Sequence, residues 1–151
     1  MKLLIRDAAK EDLESIARFQ ENMAWETEKL KLDAKKIRAG IAAVFEDASK
    51  GRYFIAEFEG VLAGSLLITY EWSDWRNSWV YWIQSVYVAS TFRRKGIYRA
   101  LYQHAQDLVN QKDDVAGIRL YVERTNKAAQ QTYTNLRMDG QHYQLFEWMK
   151  S

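Results

Sequence analysis

The chain has 151 residues, of which 48% are hydrophobic and 28% charged, a composition typical of one globular domain and not of a disordered segment. It contains no cysteine, which excludes disulfides, thiolate-held metal centres and a thiol nucleophile, and its formal net charge of +2 is too small to indicate polyanion binding by the whole molecule. The first six residues contain only three consecutive apolar side chains, too few for a signal peptide or a membrane span. We therefore expect a cytoplasmic protein with no membrane partner.

Hydrophobic periodicity and turn residues predict ten secondary-structure elements in a single domain, residues 1–151. In chain order they are a strand at 3–5, a helix with Leu13, Ile16, Ala17 and Met23 on one face, a helix at 33–46, strands at 53–59, 61–70 and 79–88, a helix at 96–111, a strand at 117–122, a helix after Asn126 and a strand at 141–149. Residues 71–78 are expected to form a polar turn. Because helices that join strands of one sheet connect parallel neighbours, the predicted fold class is α/β, with a single mixed, mostly antiparallel sheet flanked by helices.

The charged residues are unevenly distributed along the chain. No Asp or Glu occurs between Asp74 and Asp107. Five basic residues fall inside that interval, namely Arg76, Arg93, Arg94, Lys95 and Arg99. This local excess of positive charge predicts an anion site in the middle of the sequence.

Residues 86–97 form a strand, a basic turn and the start of an amphipathic helix. The first backbone N–H groups of a helix lack intrahelical acceptors and lie at the positive end of its dipole, so a phosphate can bind there. Gly96 would let the backbone approach such a ligand closely. A solvated basic turn before an ordinary helix explains the same pattern equally well. Neither a P-loop nor the glycine fingerprint of dinucleotide-binding proteins is present.

The segment Arg93-Arg94-Lys95-Gly96-Ile97-Tyr98 resembles the Gln/Arg-x-x-Gly-x-Gly/Ala pyrophosphate loop of the GNAT superfamily of acyl-CoA-dependent N-acyltransferases. The Val-x-Val strand at 86–88 precedes it, as in the family. On the next helix, Asn126, Ala129 and Tyr133 resemble the family pattern Asn-x-x-Ala-x-x-x-Tyr. Two residues depart from the family: Tyr98 stands where Gly or Ala is usual, and Arg137 stands where Gly is usual.

The resemblance implies that the central strand at about 84–88 splays from the strand at 118–122 and that acetyl-CoA binds in the gap as cosubstrate, without a metal. The residues implied in cofactor binding are Val86, Tyr87, Val88, Arg93, Arg94, Lys95, Gly96, Ile97, Tyr98 and Asn126. A simple helix cap is the alternative role for Asn126. Tyr133 has the family position that meets the departing CoA sulfur and is therefore the predicted catalytic residue. A core aromatic side chain is the alternative for Tyr133.

The resemblance further implies direct attack by a primary amine in a ternary complex. The predicted acceptor-binding residues are Trp25, Glu26, Glu28, Glu71 and Gln84, with Glu26 and Glu28 placed in the connection between the first two helices. Carboxylates beside aromatic rings suit a cationic small amine or a protein amine. None of these acids, nor Asp74, can be singled out as the base, and a water chain ending on one of them fits equally well. The tryptophans also fit a sheet cover or the contact of a homodimer.

Two other functions fit parts of the sequence. The basic patch from Arg93 to Arg99, with interleaved aromatics, also resembles a nucleic-acid-binding module, although we expect no nucleic-acid partner. A protein that binds CoA without catalysis would retain the loop and the fold. His104 and His142 have no cysteine and no second histidine at ligand spacing, so no metal site is predicted.

Overall fold

A computed structural model describes residues 2–151. Its strands and α-helices are β1 (Leu3–Asp7), α1 (Leu13–Glu28), α2 (Ala34–Glu46), β2 (Arg52–Phe58), β3 (Val61–Ser73), β4 (Ser78–Val88), α3 (Ile97–Asn110), β5 (Val115–Arg119) and α4 (Lys127–Asn135). The chain divides into two compact units, the first ending at Arg119 and the second running from Leu120 to Ser151. None of the helices in the described residues has an apolar stretch that could cross a membrane.

The first unit contains one five-stranded sheet in the order β1-β2-β3-β4-β5. The first four strands are antiparallel neighbours, and β5 runs parallel to β4 after the α3 crossover. Helices cover both faces of the sheet. Successive side chains of a strand point to opposite faces, so neighbouring residues of β2 show which helices lie on each. Ile55 packs in the cluster formed with α1 and α2, whereas the Phe54 ring lies 4.7 Å from the His104 ring of α3. The predicted mixed, mostly antiparallel sheet with flanking helices is confirmed.

Local signals account for several confirmed elements. Asp33 caps α2, since its carboxylate accepts hydrogen bonds from the amides of Lys35 at 3.0 Å and Lys36 at 3.1 Å. The hairpin between β2 and β3 turns at Glu59 (φ 53°) and Gly60 (φ 78°), the left-handed pair that a tight two-residue turn requires.

The predicted polar turn at 71–78 is wrong over half of its length. β3 continues to Ser73, and β4 begins at Ser78. The Trp72 and Trp79 rings meet across the two strands with centroids 5.1 Å apart. Cross-strand aromatic contact and the backbone ladder thus extend the hairpin through residues whose polarity indicated a turn.

The last two predicted strands also need correction. The strand expected at 117–122 is β5 at Val115–Arg119, because its pairing with β4 ends where Arg119 meets Trp82. The strand expected at 141–149 is not formed: these residues have no strand partner among the residues described, and Phe146 and Trp148 are 87% and 88% exposed. An alternating sequence makes a strand only where a neighbour satisfies its backbone groups.

Candidate functional site

β4 and β5 are paired only over the first part of β4. Their ladder runs from Trp79 to Trp82, whereas β4 itself continues to Val88. The pairing between β3 and β4 skips Gln84, so this exposed residue forms a β-bulge just beyond the last β4–β5 pair. Residues 83–88 therefore have β3 on one side and, within residues 2–151, no hydrogen-bonded strand on the other. This edge, which includes Val86, can accept an extended ligand in the manner of an added strand.

The β4–α3 loop (residues 89–96) presents a set of backbone donors. Arg94 (φ 64°) and Gly96 (φ 79°) both have left-handed backbones, and left-handed residues within a turn can aim neighbouring N–H groups at an anion. The amides of Arg94, Lys95, Gly96 and Ile97 donate to no acceptor in the described residues. No atom of the described residues lies within 4 Å of a Cβ built on Gly96, so its positive φ and not a steric clash explains the glycine.

The basic side chains of this segment are used in different ways. The Arg93 guanidinium turns back toward the protein, donating from Nε to the Val88 carbonyl at 2.9 Å and from an Nη to Glu26 at 2.6 Å. Lys95 places its ammonium 5.5 Å from the Phe58 ring, and Arg94 is exposed with no ion pair among residues 2–151. Arg94 and Lys95 therefore supply the charge that is available to an anion.

Two aromatic residues predicted to contact the cofactor have different surroundings. Tyr87 is 6% exposed and packs its ring 5.6 Å from that of Phe19 on α1, which leaves only its backbone for a ligand. Burial and the hydrogen bond to Glu26 raise the pKa of Tyr87 to about 12. Tyr98 lies half-buried in the first turn of α3.

The predicted acids of α1 lie in its last turn, which corrects their expected position in the connection between helices. α1 runs to Glu28 and ends where Lys29 takes a left-handed backbone. Glu26 accepts from the Tyr87 hydroxyl at 2.5 Å and from Arg93. Burial opposes ionisation of Glu26, but these two hydrogen bonds outweigh it and lower its pKa. Both Glu26 oxygens are thus occupied.

The other predicted residues of this helix end are exposed. Glu28 makes no side-chain hydrogen bond or ion pair within residues 2–151. Trp25 is 54% exposed, and the Lys29 ammonium lies 5.6 Å from its ring. A shallow depression beside Trp25 is lined by Glu21, Leu30, Lys31 and Leu32.

Glu71 lies at the point where β4 leaves β5. Its Oε1 accepts from the Trp82 indole at 2.9 Å and from Arg119 at 2.8 Å, and these two are the last β4–β5 pair. The Trp82 hydrogen bond, together with Arg119, outweighs burial and lowers the pKa of Glu71. Oε2 of Glu71 has no hydrogen-bond partner in the described residues. Sequence reasoning missed Trp82 and Arg119, although a lone arginine in an apolar strand was an available signal.

The remaining predicted residues belong to the second unit. Asn126 caps α4, since its Oδ1 accepts from the Ala129 amide at 3.1 Å. Tyr133 is half-buried on the same helix. Their roles toward a cofactor and a substrate stay predictions.

Comparison with known proteins assigns the chain to a family. Residues 8–137 match the acetyltransferase (GNAT) family. A solved structure of a possible acetyltransferase from Clostridium difficile 630 is 38% identical, with a TM-score of 0.92 over 100% of this chain and 99% of that one. An aminoglycoside N-acetyltransferase in complex with CoA shares the fold at 17% identity and a TM-score of 0.80, over 99% of this chain and 96% of that chain.

A ribosomal-protein-alanine N-acetyltransferase from Brucella melitensis biovar Abortus 2308 shares it at 14% identity and a TM-score of 0.80, over 99% of this chain and 100% of that chain. No curated protein matches the sequence. The family match and the 38% identical structure cover most or all of the chain. The protein therefore belongs to the acetyltransferase (GNAT) family.

Proposed function

We propose that the protein is an acetyl-CoA-dependent N-acetyltransferase that acetylates a primary amine by direct attack in a ternary complex. The observation that carries the proposal is the continuity of two features: the edge of β4 at 83–88, which no strand of residues 2–151 covers, leads into a loop whose amides at 94–97 have no acceptor in the same residues. A strand edge followed by available N–H donors matches an extended arm that ends in a diphosphate. Bound acetyl-CoA would supply the acetyl group as a thioester.

Different residues of the chain bind different parts of acetyl-CoA. Amides 94–97 bind the diphosphate oxygens, and the exposed Arg94 and Lys95 add charge. The backbone of β4 from the Gln84 bulge to Val88 orients the acyl arm. Asn126 already caps α4, so its share in cofactor binding is secondary to that role.

For the acceptor, we infer a cationic small amine or a protein amine that pairs with Glu71. Glu26 has both oxygens engaged by Tyr87 and Arg93, whereas Oε2 of Glu71 has no partner among the residues that the structure describes. A lysine-like amine is neutral in only about one molecule in a thousand near pH 7.4, a cost of about 4 kcal/mol. Because the pKa of Glu71 is lowered, this carboxylate is a poor proton acceptor and a good partner for the ammonium form. The proton then leaves through water.

Tyr133 is proposed to donate a hydrogen bond to the sulfur as the thiolate forms. Full proton transfer from tyrosine to the thiolate would be uphill by about 2 kcal/mol at ordinary pKa values of about 10 and 8.5. Stabilisation of the developing charge is therefore the larger part of the proposed role.

The proposal is tested first by calorimetric and thermal-shift titration with acetyl-CoA, then by a panel of amines with free thiol release as the readout. One-to-one binding that raises the Tm, followed by amine-dependent thiol release, supports it. Failure to bind acetyl-CoA refutes it. Binding without turnover on any amine indicates a CoA-binding protein that is not a catalyst, and oligonucleotide binding that falls steeply with salt indicates a nucleic-acid module instead.

The role of Glu71 is tested with Glu71→Gln on the amine that turns over best. We expect the acceptor KM to rise about fivefold, the effect of losing one partly exposed ion pair, while the KM for acetyl-CoA is unchanged. The control is Glu59→Gln, which removes the same charge from an exposed side chain with no hydrogen bond or ion pair in the described residues. An acceptor KM equal to that of the wild type would remove Glu71 from the acceptor site.

A further inference from the structure

We propose that Glu26 is a positioning residue for the β4–α3 loop, which it orders by holding Arg93. The inference rests on the proposed function, because the loop is the one proposed to bind the diphosphate. Under this proposal Arg93 does not bind the phosphate but holds the loop against β4 and α1. The last turn of α1 then affects the affinity for the cofactor through Glu26.

Arg93 connects the β4–α3 loop to β4 and to α1 through one guanidinium. Nε bonds the Val88 carbonyl at the end of β4, and an Nη bonds Glu26 in the last turn of α1. The guanidinium carbon also lies 5.5 Å from the centroid of the Tyr87 ring. The planar guanidinium presents these donors in fixed directions, so one side chain holds both acceptors in a set geometry.

Glu26 is itself fixed in place by a second hydrogen bond, to Tyr87. One oxygen accepts from the Tyr87 hydroxyl at 2.5 Å, and Tyr87 is itself anchored in the core against Phe19. The ion pair is thus attached to a buried residue and not to a mobile surface group. Its effect is to fix Arg93 immediately before Arg94, whose amide is the first of those with no acceptor in the described part of the chain. Preformed donors bind an anion more tightly, because no ordering is needed at the moment of binding.

The positioning role and simple charge repulsion predict opposite changes in CoA affinity when the charge of Glu26 is removed. A diphosphate is repelled by nearby carboxylates, so by charge alone removal of the Glu26 charge would tighten CoA binding. If Glu26 positions the loop, its removal weakens binding. Glu26→Gln is therefore expected to raise the Kd for CoA by about fivefold, because the Arg93 ion pair, whose two side chains are partly exposed, is reduced to a hydrogen bond with a neutral acceptor.

The test is calorimetric titration of CoA into the wild type, Glu26→Gln and the control Glu59→Gln. Glu59 follows Phe58, whose ring contacts the Lys95 ammonium, so the control removes an equal charge near the same loop. We expect the control to bind CoA as the wild type does or more tightly. With a productive amine, Glu26→Gln should raise the KM for acetyl-CoA and leave kcat within about twofold, a division that general loss of structure would not give.

Arg93→Lys provides a second variant that keeps the positive charge. A lysine presents its donors from a single flexible nitrogen and not from a rigid planar fork, so it should hold Val88 and Glu26 less well and weaken CoA binding about as much as Glu26→Gln, and the double variant should be no weaker than the single ones. If Glu26→Gln fails to fold, this variant decides the question.

Undiminished affinity in Glu26→Gln, or equal losses in Glu26→Gln and Glu59→Gln, overturns the inference while leaving the proposed function intact. Arg93→Lys with wild-type affinity does the same, because Arg93 would then act by charge alone. A wild type that does not bind CoA overturns both proposals.

Discussion

Replacing Gly64 by alanine is expected to destabilise the protein through a single close approach between two strands. Gly64 of β3 pairs with Val88 of β4, and a Cβ built on it lies 2.4 Å from the Tyr87 carbonyl oxygen and 3.3 Å from the Val88 Cα. Both neighbours are backbone, so the strands must separate to make room. Overpacking of this kind costs about 1–3 kcal/mol, which lowers the Tm of a chain of this size by roughly 3–10 °C.

Gly117 provides a matched control in the same sheet. It lies in β5, and a Cβ built on it meets no atom of residues 2–151 within 4 Å. Neither glycine has a positive φ, so the two substitutions differ in space and not in backbone strain. We expect Gly117→Ala to change the free energy of unfolding by no more than about 1 kcal/mol in either direction.

Denaturant unfolding and CoA titration of both variants provide the measurement. Gly64→Ala should lower the unfolding free energy and also weaken CoA binding, because the displaced carbonyl lies at the end of β4 where the proposed donor edge meets the loop. Gly117→Ala should change neither quantity strongly. A Gly64→Ala protein as stable as the wild type, or equal losses in the two variants, would refute the argument from close approach.

Three further outcomes are expected. Ser65→Ala should leave stability unchanged or raise it by up to about 1 kcal/mol in denaturant unfolding, because the buried Ser65 hydroxyl has no hydrogen-bond partner among residues 2–151; a clear loss would show that it has one. Burial raises the pKa of Tyr53 to about 12 from an ordinary value near 10, so its neutral form stabilises the fold fully below pH 10 and this contribution is lost as pH rises toward 12. In an alkaline absorbance titration, Tyr53→Phe should lose the signal of one phenol that ionises near pH 12. Loss of a phenol that ionises near pH 10 would contradict the assignment. Tyr133→Phe should lower kcat with an unchanged Kd for CoA, and unaltered turnover would remove Tyr133 from the mechanism.

Sequence alone identified the parts of this protein that depend on near neighbours. Asp33 as a helix cap and Glu59-Gly60 as a tight turn act within a few residues of themselves, so their signals could be recognised without the fold. The basic loop before α3 was predicted for the same reason, since a strand, a turn and a helix start in sequence already align its donors.

Which carboxylates remain available to a ligand was determined only by contacts between residues far apart in the sequence. Glu26 meets Arg93, which lies 67 positions away, and Glu71 meets Arg119, which lies 48 positions away. No local pattern distinguishes a carboxylate with both oxygens occupied from one with a free oxygen. The same limit explains the strand predicted at 141–149, because pairing is a property of two segments and the sequence of one cannot supply its neighbour. Local chemistry therefore determined the helix cap, the tight turn and the backbone donors of the β4–α3 loop, while tertiary packing decided strand pairing and which side chains remain available to ligands.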